Sequence, residues 1–372
     1  MVLILKIYFK LILLFSIIFV LSLCQSTSKE NKNVWANMFN KYVWNNKTKQ
    51  ATQSLVNFMK PGLLTRTVER FKVIVNTTYG RIAGERKLYS LKGDEYFYQF
   101  RGIPYAAAPV GNLRFKPPQP MKPWSDIKDA FEFGASCVQC NTRGPFGSED
   151  CLFINVYTSE MPKNGTNLKP VMFWIYGGSF QTGSADIYGP EYLIRKDIVL
   201  VTFNYRVNVL GFFALGNKEV SGNYGLKDQL FALKWVQANI ANFGGDPSRV
   251  TIFGESAGSA SVQYQLLSAQ SKGLFHQAIV QSGSALDPWA LTKSPKDVAF
   301  KLAKSLGHNL NNTNELYLFF MQQPADLLAR ASDKLLLSEL NHWSQSFFAF
   351  APTVEVYNSE SPFLTQSPQK LF

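Results

Sequence analysis

Thr251-Ile252-Phe253-Gly254-Glu255-Ser256-Ala257-Gly258 decides how this chain is read: a β-branched and aromatic strand runs straight into G-x-S-x-G. In that pattern a serine sits on a tight, strained turn between a strand and a helix. Its hydroxyl stands above the sheet, and the next backbone N–H faces the same reacting atom. Gly254 and Gly258 are needed sterically, because a side chain at either place would crowd the turn or the helix beside it. Residues 250–253 supply the strand. The helix from Ala257 is rich in small residues where it must approach the sheet and apolar further on.

The surrounding chain has the texture that such a turn requires. Residues 171–176 and 198–204 are near-continuous apolar runs, as expected for parallel strands covered on both faces. Residues 226–243 place Leu230, Leu233, Val236 and Ile240 on one helical side, and residues 276–282 read as the strand after the bend. Residues 293–341 are mostly helical. Earlier, residues 72–75 and 96–102 have strand composition and suggest antiparallel edge strands, while the Pro- and Gly-rich stretch 102–124 is irregular. The expected fold class is α/β, an open, mainly parallel sheet with helices on both faces. In such sheets reacting groups collect at the carboxyl ends of the strands.

Composition narrows the partners. The 372 residues are 46% hydrophobic and 17% charged, which demands a real core. The formal net charge of +12 is uneven. Residues 25–72 carry nine basic groups against two acidic ones, whereas residues 73–372 carry 27 against 24. The body has no electrostatic footprint for a polyanion, so no nucleic-acid partner is expected. Residues 1–24, with Lys6 and Lys10 ahead of a 13-residue apolar run, are expected to be a signal peptide, with an uncleaved anchor as the alternative. Residues 25–72 read as a basic, polar extension and 73–372 as the main domain. No stable membrane span is expected after cleavage. Asn-x-Ser/Thr sequons at Asn46, Asn76, Asn164 and Asn311 agree with secretion and with N-glycans at those positions. With Cys24 removed, Cys137, Cys140 and Cys151 remain, and either Cys137 or Cys140 could pair with Cys151. No metal site and no cofactor is expected.

A serine hydroxyl needs a base to take its proton and donors to hold the oxyanion that forms. Trp174-Ile175-Tyr176-Gly177-Gly178-Ser179-Phe180 leaves a strand into a glycine turn, where backbone N–H groups can point outward. Gly178, Ser179 and Ala257 are the candidate oxyanion donors. The base is harder to find. His276 lies at a strand start, His308 in a polar turn, and His342 just before Trp343. None sits on a late loop after an acid, the order this fold uses.

These stretches resemble the type-B carboxylesterase/cholinesterase family of serine hydrolases, which have the α/β-hydrolase fold. The likeness runs from residue 73 onward, through Gly102-Ile103-Pro104-Tyr105, residues 109–115, residues 149–157, residues 174–180, Asn204-Tyr205-Arg206-Val207, Gly225-Leu226-Lys227-Asp228-Gln229, residues 242–247 and residues 273–279. The resemblance implies a carboxylic ester hydrolase acting on a small-molecule ester through an acyl-enzyme. Ser256 would be the nucleophile and Glu255 its acidic neighbour, with Gly178, Ser179 and Ala257 as oxyanion donors. It also implies a Cys137–Cys151 disulfide, which leaves Cys140 odd, and two ion pairs, Arg114 with Glu149 and Arg206 with Asp228. Ser179 stands where many members have a third glycine; a backbone donor survives that change. The segment between Cys137 and Cys151 has no tryptophan, so a choline ester is not expected as substrate.

In relatives the likeness continues into a segment bearing the triad's Glu and then its His; here it ends at residues 350–366. The expectation is therefore a C-terminally truncated chain, without the late strands and inactive as it stands. A non-catalytic, cholinesterase-like adhesion protein is the alternative. The 372 residues alone are expected to hydrolyse a short-chain aryl ester negligibly, because loss of the base costs on the order of 10⁶ in turnover. Clear hydrolysis that disappears in Ser256→Ala would contradict this.

Overall fold

The computed structural model describes residues 71–88, 96–162, 168–340, 349–356, 359 and 361–372. The signal segment, residues 25–70 of the expected extension, His342 and the sequons at Asn46 and Asn164 lie outside them; Lys72, the extension's expected last residue, instead opens the first strand.

The strands are β1 (Lys72–Asn76), β2 (Arg81–Leu88), β3 (Tyr96–Pro104), β4 (Lys128–Asp129), β5 (Gln139–Asn141), β6 (Gly144–Phe146), β7 (Phe153–Thr158), β8 (Lys169–Ile175), β9 (Val199–Phe203), β10 (Gly245–Glu255) and β11 (Gln277–Gln281). The helices are α1 (Asn208–Phe212), α2 (Tyr224–Asn239), α3 (Ala257–Leu267), α4 (Pro295–Ser305), α5 (Thr313–Gln322), α6 (Ala325–Leu340) and α7 (Pro368–Leu371). The main sheet runs β1-β2-β3-β7-β9-β8-β10-β11, with β4 beside β2. β1, β2 and β3 pair antiparallel, as their composition suggests. β7 is antiparallel to both β3 and β9. From β9 through β8 and β10 to β11 every pairing is parallel.

Burial follows from the runs of apolar residues. All five residues of β9 are buried, and its Val199 and Val201 join Val171, Phe173, Val250 and Ile252 in one core. Leu233, Val236 and Ile240 from α2 and its 3-10 extension cover that side, with Val262 of α3. Register brings the strand ends level: Gly254 pairs with Ile175, Trp174 with Thr202, and Glu255 with Gln281. The segments that follow β8, β9, β10 and β11 therefore leave the sheet at one edge, where ligand sites form in open α/β sheets.

Cys137 and Cys151 form the disulfide, and Cys140 is free. Both implied ion pairs are present and bidentate. Arg114 meets Glu149 at 2.6 Å through Nε and Nη2, and its Nη1 donates to the carbonyls of Phe320, Met321 and Gln323 at the end of α5. Arg206 meets Asp228 at 2.8 and 2.7 Å, almost wholly out of water. A third pair was not foreseen. Lys227 Nζ lies 2.7 Å from Glu355, whose carboxylate also accepts from Asn223 and from the amides of Phe363 and Leu364. This network fixes Thr353, Glu355, Phe363 and Leu364 against the start of α2.

Removing one partner of a buried pair leaves an uncompensated charge. Asp228→Asn is expected to cost about 3–5 kcal/mol, read as a lower urea midpoint at neutral pH. An unchanged midpoint would contradict this.

Candidate active site

Ser256 has φ 57° and ψ −121°, a conformation no ordinary helix or strand uses. A non-glycine residue held there costs of the order of 1–3 kcal/mol and persists only where its surroundings leave no alternative. Those surroundings are close. Ser256 N donates to Gln281 O at 2.9 Å, and its carbonyl accepts from Ala260 N at 3.0 Å. A Cβ on Gly254 would meet the backbone of Gly258 and Ile175 O at 2.6 Å, and one on Gly258 would collide with Ile175 O. A Cβ on Gly283 would strike Ser256 O. The small residues at these positions let three backbones meet around one serine.

The segment after β8 arrives from the other side. A Cβ on Gly177 would sit 2.5 Å from Glu255 O and 3.0 Å from Ser256 Cβ, so this backbone lies directly against the bend. Three successive residues then take positive φ: Gly178 at 115°, Ser179 at 60° and Phe180 at 59°. Glycine takes the first without penalty; the next two are strained. Gln181 N and Thr182 N both donate to Gly178 O, which closes the turn. The amides of Gly178, Ser179 and Ala257 donate to no protein acceptor among the described residues. Ser256 itself is half-buried, and Glu255 is exposed.

Buried polar groups brace the turn. Tyr176 and Tyr205 stack with ring centroids 4.3 Å apart, and each hydroxyl bonds the other residue's carbonyl, at 3.0 and 2.6 Å. Burial pushes both phenols well above their usual range, so both remain donors. Asn208 N donates to Phe180 O at 2.6 Å, and its side chain reaches Val138 O. Gln139 and Gly183 exchange two hydrogen bonds, tying the disulfide-bonded segment to the turn's far end. Gln181 is buried. Its amide donates to Phe350 O at 2.5 Å and accepts from Ser332 of α6 at 3.4 Å. Sequence reasoning missed these braces, because nothing local marks Gln181 or Asn208 as partners of residues far away in the chain. Beside Glu255, the Tyr188 phenol is raised by burial first and by that carboxylate second, and its ring packs on Trp174.

The histidines lie elsewhere. His276 N donates to Val250 O, and Val250 N donates to its Nδ1 at 3.4 Å. That places His276 beside Val250, midway along β10 and roughly 20 Å from Ser256 at about 3.3 Å per residue. His308 rests against the Phe319 ring, 4.3 Å between centroids. Among the described residues no three His, Cys, Asp or Glu side chains are grouped to hold a metal ion, and no helix is long and apolar enough to cross a membrane.

A strained serine between strand and helix, a parallel sheet and a glycine turn packed on that serine define an α/β-hydrolase. The family model for the carboxylesterase family matches residues 72–372, and the chain belongs to that family. It is 43% identical over 302 residues to a carboxylic ester hydrolase of Bombus ignitus, covering 79% of this chain and 52% of that one. It is 44% identical over 302 residues to Esterase B1 of Culex pipiens, covering 79% and 55%. Among solved structures, juvenile hormone esterase of Manduca sexta with OTFP covalently attached superposes with a TM-score of 0.72 at 35% identity. That match covers 81% of this chain and 57% of the other. The chain thus spans about half the length of the curated relatives it matches.

Replacing Gln181 by Met keeps the side chain's length and removes its polar atoms. The expected loss is about 1–3 kcal/mol from the stranded Phe350 carbonyl and Ser332 hydroxyl, measured by chemical denaturation. A variant as stable as the parent would show that the carboxamide does not hold the turn.

Proposed function

We propose that this chain carries the nucleophile and the oxyanion turn of a carboxylic ester hydrolase. Ser256 Oγ attacks the ester carbonyl, and the N–H groups of Gly178, Ser179 and Ala257 receive the developing oxyanion. Collapse of the tetrahedral intermediate expels the alcohol and leaves an acyl group on Ser256, which water then removes. Glu255 is the exposed acidic neighbour, beside Tyr188. The strained backbone of Ser256, with Gly177 packed against it, is the observation that carries the reading. Gly177 packed against a half-buried Ser256, and the amides of Gly178, Ser179 and Ala257 without a protein acceptor among the described residues, support an oxyanion site there.

The proton acceptor is neither His276 nor His308; the proposal assigns it to a residue outside the described ones. Passage through the secretory route belongs to the same reading. It is supported by the charged and apolar N-terminal run, by the Cys137–Cys151 disulfide and by exposed side chains at the Asn76 and Asn311 sequons.

The test joins these 372 residues to the part of Culex pipiens Esterase B1 that lies beyond its match to this chain. Turnover of a short-chain aryl ester is expected from the fusion, with a loss on the order of 10⁶ in Ser256→Ala. A cooperatively folded fusion without turnover, or turnover indifferent to Ser256→Ala, would reject the reading.

A further inference from the structure

Lys227 and Glu355 sit where charges are seldom left. The Lys227 side chain is 4% exposed and that of Glu355 is fully shielded, with Nζ 2.7 Å from the carboxylate. Val354, the apolar neighbour of Glu355, is 39% exposed. The ordinary arrangement would bury the valine and leave the glutamate in water. Replacing a buried ion pair by apolar groups is often neutral or stabilising, so stability alone does not account for this inversion. The best-attested use of such a pair is to fix a register.

The register it fixes leads to the oxyanion turn. Glu355 also accepts from Asn223 at 2.8 Å, and Asn223 exchanges two hydrogen bonds with the backbone of Thr353, at 2.9 and 2.7 Å. Thr292 holds the residues just before: its amide donates to Pro352 O at 2.7 Å, and its hydroxyl accepts from Ala351 N at 3.2 Å. Phe350 comes next, and its carbonyl is the one that Gln181 binds. A second arm reaches the same turn. Asp228, beside Lys227 on α2, holds Arg206, and two residues further on Asn208 N donates to Phe180 O. Two adjacent residues of opposite charge on α2 thus each anchor one arm, and the arms end at Phe180 and Gln181, adjacent residues of the turn.

We propose that Lys227 and Glu355 are positioning residues for the oxyanion turn. The pair sets the place of residues 350–353 and, through Phe350 and Gln181, holds the strained backbone of Ser179 and Phe180 in its working conformation. The catalytic meaning of this coupling rests on the ester-hydrolase reading; the coupling itself does not.

Hydrogen exchange on the full 372-residue chain, read by mass spectrometry, tests it in the double variant Lys227→Met with Glu355→Gln. That change removes both charges together and keeps an acceptor for the amides of Phe363 and Leu364. Asn223→Gly is the milder variant: Asn223 has φ 57°, which glycine tolerates, and losing its side chain frees Thr353 without stranding a charge. In either, peptides from residues 178–183 are expected to exchange about tenfold faster, while those of β7 keep the parent's rate. In the fusion carrying the Esterase B1 segment, kcat is expected to fall about tenfold with KM held within about twofold. Unchanged exchange at the turn, or acceleration spread evenly over the sheet, would overturn the proposal, as would an undiminished kcat in a variant of an active fusion. Exchange needs no turnover, so it judges the coupling separately from the ester-hydrolase reading.

Discussion

Everything at the candidate site depends on a backbone held where backbones do not rest by choice. Ser256 takes a φ and ψ that a serine adopts only under compulsion, and the compulsion is steric and hydrogen-bonded at once. Gly177, Gly254, Gly258 and Gly283 let neighbouring chains approach within distances that any Cβ would forbid. The sheet supplies the force: β10 is gripped between β8 and β11, so the chain must turn within a residue of leaving it.

The second constraint is the opposing turn. Ser179 and Phe180 are both strained, and neither has a local reason to stay so. Their conformation is set from a distance, by Asn208 after β9, by Gln181 reaching Phe350 and α6, and by the paired tyrosines beneath. The parallel register of β8, β9 and β10 is what brings these segments within reach of one another. Strain at the site is thus offset by packing and hydrogen bonding in the scaffold, the usual relation between a rigid fold and a preorganised centre.

Much of this could be read from residues alone. The parallel strands were legible because residues 171–175 and 198–203 are near-continuous apolar runs, and α2 because Leu230, Leu233 and Val236 recur at helical spacing. Ser256 and its glycines were legible because the bend has its own local chemistry. The antiparallel place of β7 between β3 and β9 was not, since six residues of strand carry no mark of direction. Lys227–Glu355, 128 residues apart in sequence, was equally hidden; a buried lysine shows in sequence only as an ordinary charged residue. No base could be read from the described histidines: His276 packs against Val250 and His308 against Phe319.

The most direct measurement is an experimental structure of the chain read at two points, the backbone angle of Ser256 and the directions of three amides. The account requires a positive φ at Ser256. It also requires the N–H groups of Gly178, Ser179 and Ala257 to converge on one point about 3 Å from each nitrogen, within reach of the serine hydroxyl. A helical φ at Ser256, or a turn at residues 178–180 whose amides face away from that hydroxyl, would contradict it.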